Sequence, residues 1–129
     1  MGINATFSLS GTFFEQALEY EQSVIDVFRE YFDSGLEELM SEAYYHSLAS
    51  LWDGDEFLEQ VMEQEAILWK LFKVKPKTFR NTELIYSNTI AEYVSSLGYR
   101  NILAEGTAQI VSIHFPNYLY RQHQGLTCF

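Results

Sequence analysis

Apolar and polar residues alternate near the start of the chain: in INATFSLSG, Ile3, Ala5, Phe7 and Leu9 fall on one side, which predicts a strand ending at Gly11-Thr12. The spacing then becomes helical. FFEQALEYEQSVIDVFREYF places apolar residues at 13, 14, 17, 20, 24, 27, 28 and 31, and Ser34-Gly35 supplies a stop. LEELMSEAYYH predicts a second strand around Leu39 to Tyr45. DEFLEQVMEQEAILWKLF is the plainest helix, with Asp53 or Asp55 as N-cap and Phe57, Leu58, Val61, Ala66, Leu68 and Phe72 toward its buried side. KTFRNTELIY is a third strand and its exit, SNTIAEYVSSLGY a helix capped by Ser87 or Asn88 and ended by Gly98, and NILAEG a fourth strand. Strands alternating with helices in this way predict right-handed βαβ units, hence an α/β fold with a parallel sheet.

In such folds chemistry gathers at the C-terminal ends of the strands. The four ends carry Ser8, Ser10 and Thr12; then Glu42, Tyr44, Tyr45 and His46; then Arg80, Asn81 and Glu83; and lastly Glu105 and Thr107. Aromatic rings beside carboxylates suit a sugar, whose apolar face stacks on a ring while its hydroxyls need fixed partners. The competing reading makes Tyr44 and Tyr45 half-buried packing residues. Arg80 is placed to hold Glu83 ionised or to bind a sugar hydroxyl, against the alternative of an ordinary salt bridge. No Walker loop, G-x-G-x-x-G or C-x-x-C accompanies these groups, so no cofactor is expected. No metal site is expected either, because His46, His114 and His123 lack metal-ligand spacing. Cys128, the single cysteine, reads as a free exposed thiol near the C-terminus, with no disulfide to make.

The net charge of −10 is uneven along the chain. Met1 to Trp69 holds 15 acidic residues and one basic, net −14; from Lys70 onward 3 acidic and 7 basic residues give +4. An acidic first half disfavours nucleic acid. With no apolar run of spanning length, no membrane partner is expected, and the chain reads as cytoplasmic.

FSLSGTFFEQALEY, EAYYHSLASLW, KPKTFRNTELIYSNTIAEYVSSLGYRNILAEG and the later PNYLYR resemble successive stretches of the catalytic domain of glycoside hydrolase family 57, most of all its α-amylase branch. The likeness runs from about Ile3 to Arg121, and its most specific parts are YYHS and FRNTE. It implies a segment of an incomplete seven-stranded parallel β/α barrel, acting by the retaining mechanism on an α-glucan or maltooligosaccharide. On that likeness Glu83 matches the nucleophile, and Tyr44, Tyr45 and His46 match a segment lining the sugar cleft. Arg80, Asn81, Glu42 and Glu105 are the further substrate-binding candidates.

The chain also departs from the family pattern. The His-Gln-Pro sequence of the family's first strand has no match, and no aspartate follows Glu83 where the family places its general acid. The expectation is therefore a single partial catalytic domain over residues 1–129, with a divergent tail over 107–129, truncated and inactive alone. The alternative is a non-catalytic carbohydrate-binding remnant or an unstable partial gene product. Of the two carboxylates left to stand near Glu83, Glu42 and Glu105, neither matches the family's acid. Open edges on a partial sheet would favour self-association.

Overall fold

In the computed structural model, which describes residues 5–35, 37–106, 119–121 and 125–128, the first four strands lie parallel and in chain order. Strand β1 (Ala5–Ser8) pairs with β2 (Glu37–Met40) from Ala5↔Glu37 to Ser8↔Met40. Strand β3 (Thr78–Arg80) pairs with β4 (Asn101–Leu103) from Thr78↔Asn101 to Arg80↔Leu103. A parallel bridge between Ser41 and Phe79 links the two pairs: Ser41 N–H donates to Thr78 O at 3.0 Å and Arg80 N–H to Ser41 O at 2.8 Å. Two further strands extend the far edge. Strand β6 (Thr127–Cys128) runs parallel beside β4, and β5 (Tyr120–Arg121) antiparallel beside β6. Two residues are too few for alternation to register, so the tail gives no strand signal in sequence. Thr107, His114 and His123 lie outside the described residues.

The pairing register assigns faces. Phe7 and Leu39 are registered partners, as are Phe79 and Ile102, and Ser41 opposite Phe79 ties the pairs together. All four residues therefore point to one side, and the helices cover that side. Helices α1 (Gly11–Tyr20) and α2 (Gln22–Ser34) pack Phe14, Ala17 and Ile25 against Leu39 and against Leu68, Leu71 and Phe72 of α3 (Gly54–Phe72). Farther along, α3 packs Phe57 and Val61 with Phe79, Ile102 and the residues Ile90, Ala91 and Val94 of α4 (Asn88–Ser96). Helix α3 thus spans both apolar clusters. Phe57 and Phe79, fully buried, meet edge to face at 5.8 Å, and each such burial contributes about 1.5–3 kcal/mol. The opposite face is polar at its lower end, where Thr78 Oγ1 donates to Glu38 Oε1 at 2.8 Å and receives Asn101 Nδ2 at 3.1 Å. Both clusters draw on one face of the sheet, unlike a doubly wound arrangement.

Local chemistry explains the helix ends. Ser10, Asp53 and Ser87 cap α1, α3 and α4 by accepting from the N–H groups of Phe13, Glu56 and Ile90. Lys73 closes α3 in a left-handed conformation, with its amine over the Trp69 ring. Where the sequence predicts one helix over 13–32, two form: Glu21, at φ −153 and ψ 78, leaves helical space and turns the chain. Strand β2 also stops earlier than its apolar pattern suggests. It ends at Met40, and 42–46 turn instead, with His46 at φ 53. On α3, Ala66 faces outward rather than inward and Leu58 is half-buried; Gln60 and Gln64 take buried positions, held by Ser47, Glu56 and the carbonyl of Leu9.

Candidate active site

The polar groups that the strands deliver converge on one carboxylate. Glu42 follows β2 on the face opposite the helices, with its side chain 4% exposed. Its Oε2 accepts Ser8 Oγ from the end of β1 at 3.2 Å and Arg80 Nη1 from the end of β3 at 3.5 Å, and it meets His46 Nδ1 at 3.2 Å. Arginine can only donate, so Oε2 acts here as an acceptor, and His46 turns its Nδ1 to it. The other ring nitrogen, Nε2, then faces Glu83 Oε1 at 3.8 Å. The imidazole therefore stands between a buried carboxylate and an exposed one: the Glu83 side chain is 74% exposed.

Glu83 is presented by a strained loop. It sits in a short 3-10 turn (Thr82–Leu84) at φ 54 and ψ 20, and Leu84 follows at φ 58. Left-handed backbone costs a residue with a Cβ about 1–2 kcal/mol. Hydrogen bonds hold it there. Leu84 N–H donates to Asn81 O, Ile85 N–H to Thr82 O, and Glu105 N–H to Leu84 O. Asn81 is fully buried beneath the loop, its Nδ2 donating to Ile85 O at 3.0 Å and Ser50 Oγ at 3.1 Å.

Of the residues singled out in the sequence, Glu42, His46, Arg80 and Glu83 come together, and Ser8 joins them. Arg80 reaches Glu42; no Arg80–Glu83 ion pair forms among the described residues. Asn81 supports the loop from below, and Glu105 meets the loop through its backbone. Tyr44 and Tyr45 turn the other way, toward α1 and α3. The Tyr44 hydroxyl donates to Glu15 Oε1 at 2.9 Å, its ring is buried, and burial together with Glu15 pushes its pKa up to about 12. Tyr45 packs edge to face on Tyr44 at 4.8 Å and is 53% exposed. Cys128 is half-buried in β6 opposite Ile102, not exposed, and burial raises its thiol pKa. No cluster of metal-ligating side chains occurs among the described residues, and none of their helices is long and apolar enough to cross a membrane.

Residues 1–129 match the model of glycosyl hydrolase family 57. A Methanocaldococcus jannaschii protein named "Putative alpha-amylase" is 42% identical over 121 residues, which is 93% of this chain and 26% of that protein. The chain thus spans about a quarter of that relative. A 4-alpha-glucanotransferase from Thermococcus litoralis superposes with a TM-score of 0.85 at 15% identity, covering 98% of this chain and 21% of that one. A family 57-type branching enzyme from Pyrococcus horikoshii gives 0.69 at 19% identity, with 92% and 25% covered. At these identities the two structures speak to the fold alone: a mixed α/β arrangement with parallel sheets.

Proposed function

We propose, from the premise that this chain belongs to glycosyl hydrolase family 57, that it carries the nucleophile-bearing part of a retaining site for α-glucans. Its strands form an arc of an incomplete seven-stranded β/α barrel. The observation that carries the reading is the pairing of an exposed Glu83, on a loop held in left-handed backbone, with His46 braced from behind by buried Glu42. Glu83 attacks the anomeric carbon, the bond to the leaving oxygen breaks, and a glycosyl ester forms at its carboxylate; water later releases the sugar with retained configuration. His46 fixes the direction of the attacking oxygen. Ser8 and Arg80 act through Glu42, as positioning residues, and Asn81 holds the loop at its height.

The departing oxygen needs a proton, and here the chain is poorly supplied. Its last aspartate is Asp55, well before Glu83. Glu42 is buried and committed to three partners, and Glu105 stands outside the cluster. The isolated 129-residue chain is therefore expected not to hydrolyse starch. An activated fluoroglycoside, whose leaving group departs without a proton, should still label Glu83. Peptide mass spectrometry locates the adduct, and Glu83→Gln should abolish it. An adduct that survives the substitution assigns the wrong nucleophile, and starch hydrolysis by the chain alone overturns the missing acid. A second reading is a carbohydrate-binding remnant, which would bind maltooligosaccharides while Glu83 stayed unlabelled. The outer edge of β1 pairs with no strand among the described residues. Self-association there would appear as a dimer in sedimentation.

A further inference from the structure

The tyrosine pair that turns away from Glu83 lies in a groove of its own. Between α1 and α3, Glu15, Tyr44, Tyr45, Glu63, Ala66 and Lys70 line a cleft of about 370 Å³, together with Ile67. That volume falls at the small end of ligand clefts. None of Glu42, His46, Arg80 or Glu83 borders it.

Its floor is rigid. Tyr44 is pinned by its hydrogen bond to Glu15 and by the start of α1, where any Cβ on Gly11 would overlap the tyrosine ring. Tyr45 rests on this fixed ring and keeps half its own surface open. Around it, Glu63 and Lys70 make no hydrogen bond or ion pair among the described residues, so one acceptor and one donor remain unspent. Negative charge at Glu63, Glu15, Glu56 and Glu59 raises the Tyr45 pKa, consistent with carboxylates gathered about the ring. An open ring flanked by a carboxylate and an amine suits a pyranose: its C–H face stacks and its hydroxyls find both an acceptor and a donor. Nucleic acid would be repelled by the same carboxylates.

We infer that this groove is a second carbohydrate site, on the outer side of the helices, that holds an α-linked glucose unit against Tyr45. The choice of sugar rests on the α-glucan reading above, whereas the groove itself does not. Its purpose would be to keep a polymer near the Glu83 cleft without occupying it.

Calorimetric titration of maltoheptaose into the 129-residue chain tests this. Tyr45→Ala should weaken binding about tenfold, the loss expected when roughly 60 Å² of apolar contact disappears. Tyr45→Phe keeps the ring and should bind within about threefold of the parent. Glu63→Gln, an exposed change that spares folding, should weaken binding measurably. Tyr20→Ala, at an exposed tyrosine that does not border the groove, should titrate like the parent. Unchanged affinity in Tyr45→Ala overturns the proposal, as does binding lost in Glu83→Gln and kept in Tyr45→Ala. If the fluoroglycoside fails to label Glu83 but Tyr45-dependent binding persists, the nucleophile assignment falls and the groove stands.

Discussion

Replacing Glu42 by glutamine should loosen the fold and disarm Glu83 together. The carboxylate oxygen Oε2 meets three partners, from Ser8, His46 and Arg80, at 3.2, 3.2 and 3.5 Å. A glutamine keeps the shape and one acceptor but loses the charge, lowering each bond from about 1.5–3 kcal/mol to about 0.5–1.5 kcal/mol. Three full bonds would give about 3 kcal/mol. The His46 and Arg80 side chains, however, are 38% and 29% exposed, and the arginine contact is at the limit of bonding distance. Solvent screening reduces the total to about 1.5–2 kcal/mol. With a urea slope of about 1.5–2 kcal/mol/M for a chain of this size, the midpoint should fall by about 1 M. Far-UV circular dichroism is the appropriate probe, because Trp52 and Trp69 are exposed and report poorly on the core. In parallel, fluoroglycoside labelling of Glu83 should slow in folded Glu42→Gln, since His46 loses its brace. A midpoint within about 0.2 M of the parent would refute the idea that these three contacts hold the strand ends together.

Three other outcomes are expected. Glu83→Gly should be more stable than Glu83→Ala by about 1 kcal/mol in urea unfolding, because only glycine is at ease at φ 54; equal stability would mean the loop is unstrained. Gly11→Ala should cost about 1–3 kcal/mol as its methyl meets the Tyr44 ring, and it should weaken maltoheptaose binding through the displaced Tyr45; a neutral effect on both would separate the ring from the helix start. Tyr44 and Tyr86 both have pKa values raised from 10 to about 12, chiefly by burial, so the folded state favours their neutral phenols. Their contribution is whole below pH 10 and is lost as pH rises toward 12. Phenolate absorbance should show a late-titrating class in the native chain, collapsing to ordinary titration in denaturant.

The order of strands and helices is legible in the sequence because Phe7, Leu39, Phe79 and Ile102 each stand in a short segment bounded by helix caps or turns, whereas the intervening segments carry helical spacing. The break at Glu21 is not, since Tyr20 and Val24 continue the helical spacing across it and neither glycine nor proline marks the change. The residues of the polar cluster could be named from strand ends. Their partners could not: Arg80 goes to Glu42 and not to Glu83 because side chains alternate across a strand, and Arg80 and Glu42 share a face through the Ser41–Phe79 bridge. Asn81 looks like a binding residue by its neighbours, yet its place in the following turn drives its amide inward to Ser50 and Ile85. The direction of Tyr44 and Tyr45 depends on how 42–46 turn, which no periodicity encodes.

The three-way contact at Glu42 also sets an order of events in time. Ser8 lies 34 residues before it and Arg80 38 residues after it. Contacts of such separation form late, once loop closure has been overcome. During synthesis at about 5–20 residues per second, roughly 2–8 s separate the appearance of Glu42 from that of Arg80. Through that interval the carboxylate has Ser8, His46 and water for company, and the strand that would seat the arginine does not yet exist. The cluster is therefore a closing latch, so loss of Glu42 should speed unfolding far more than it slows folding.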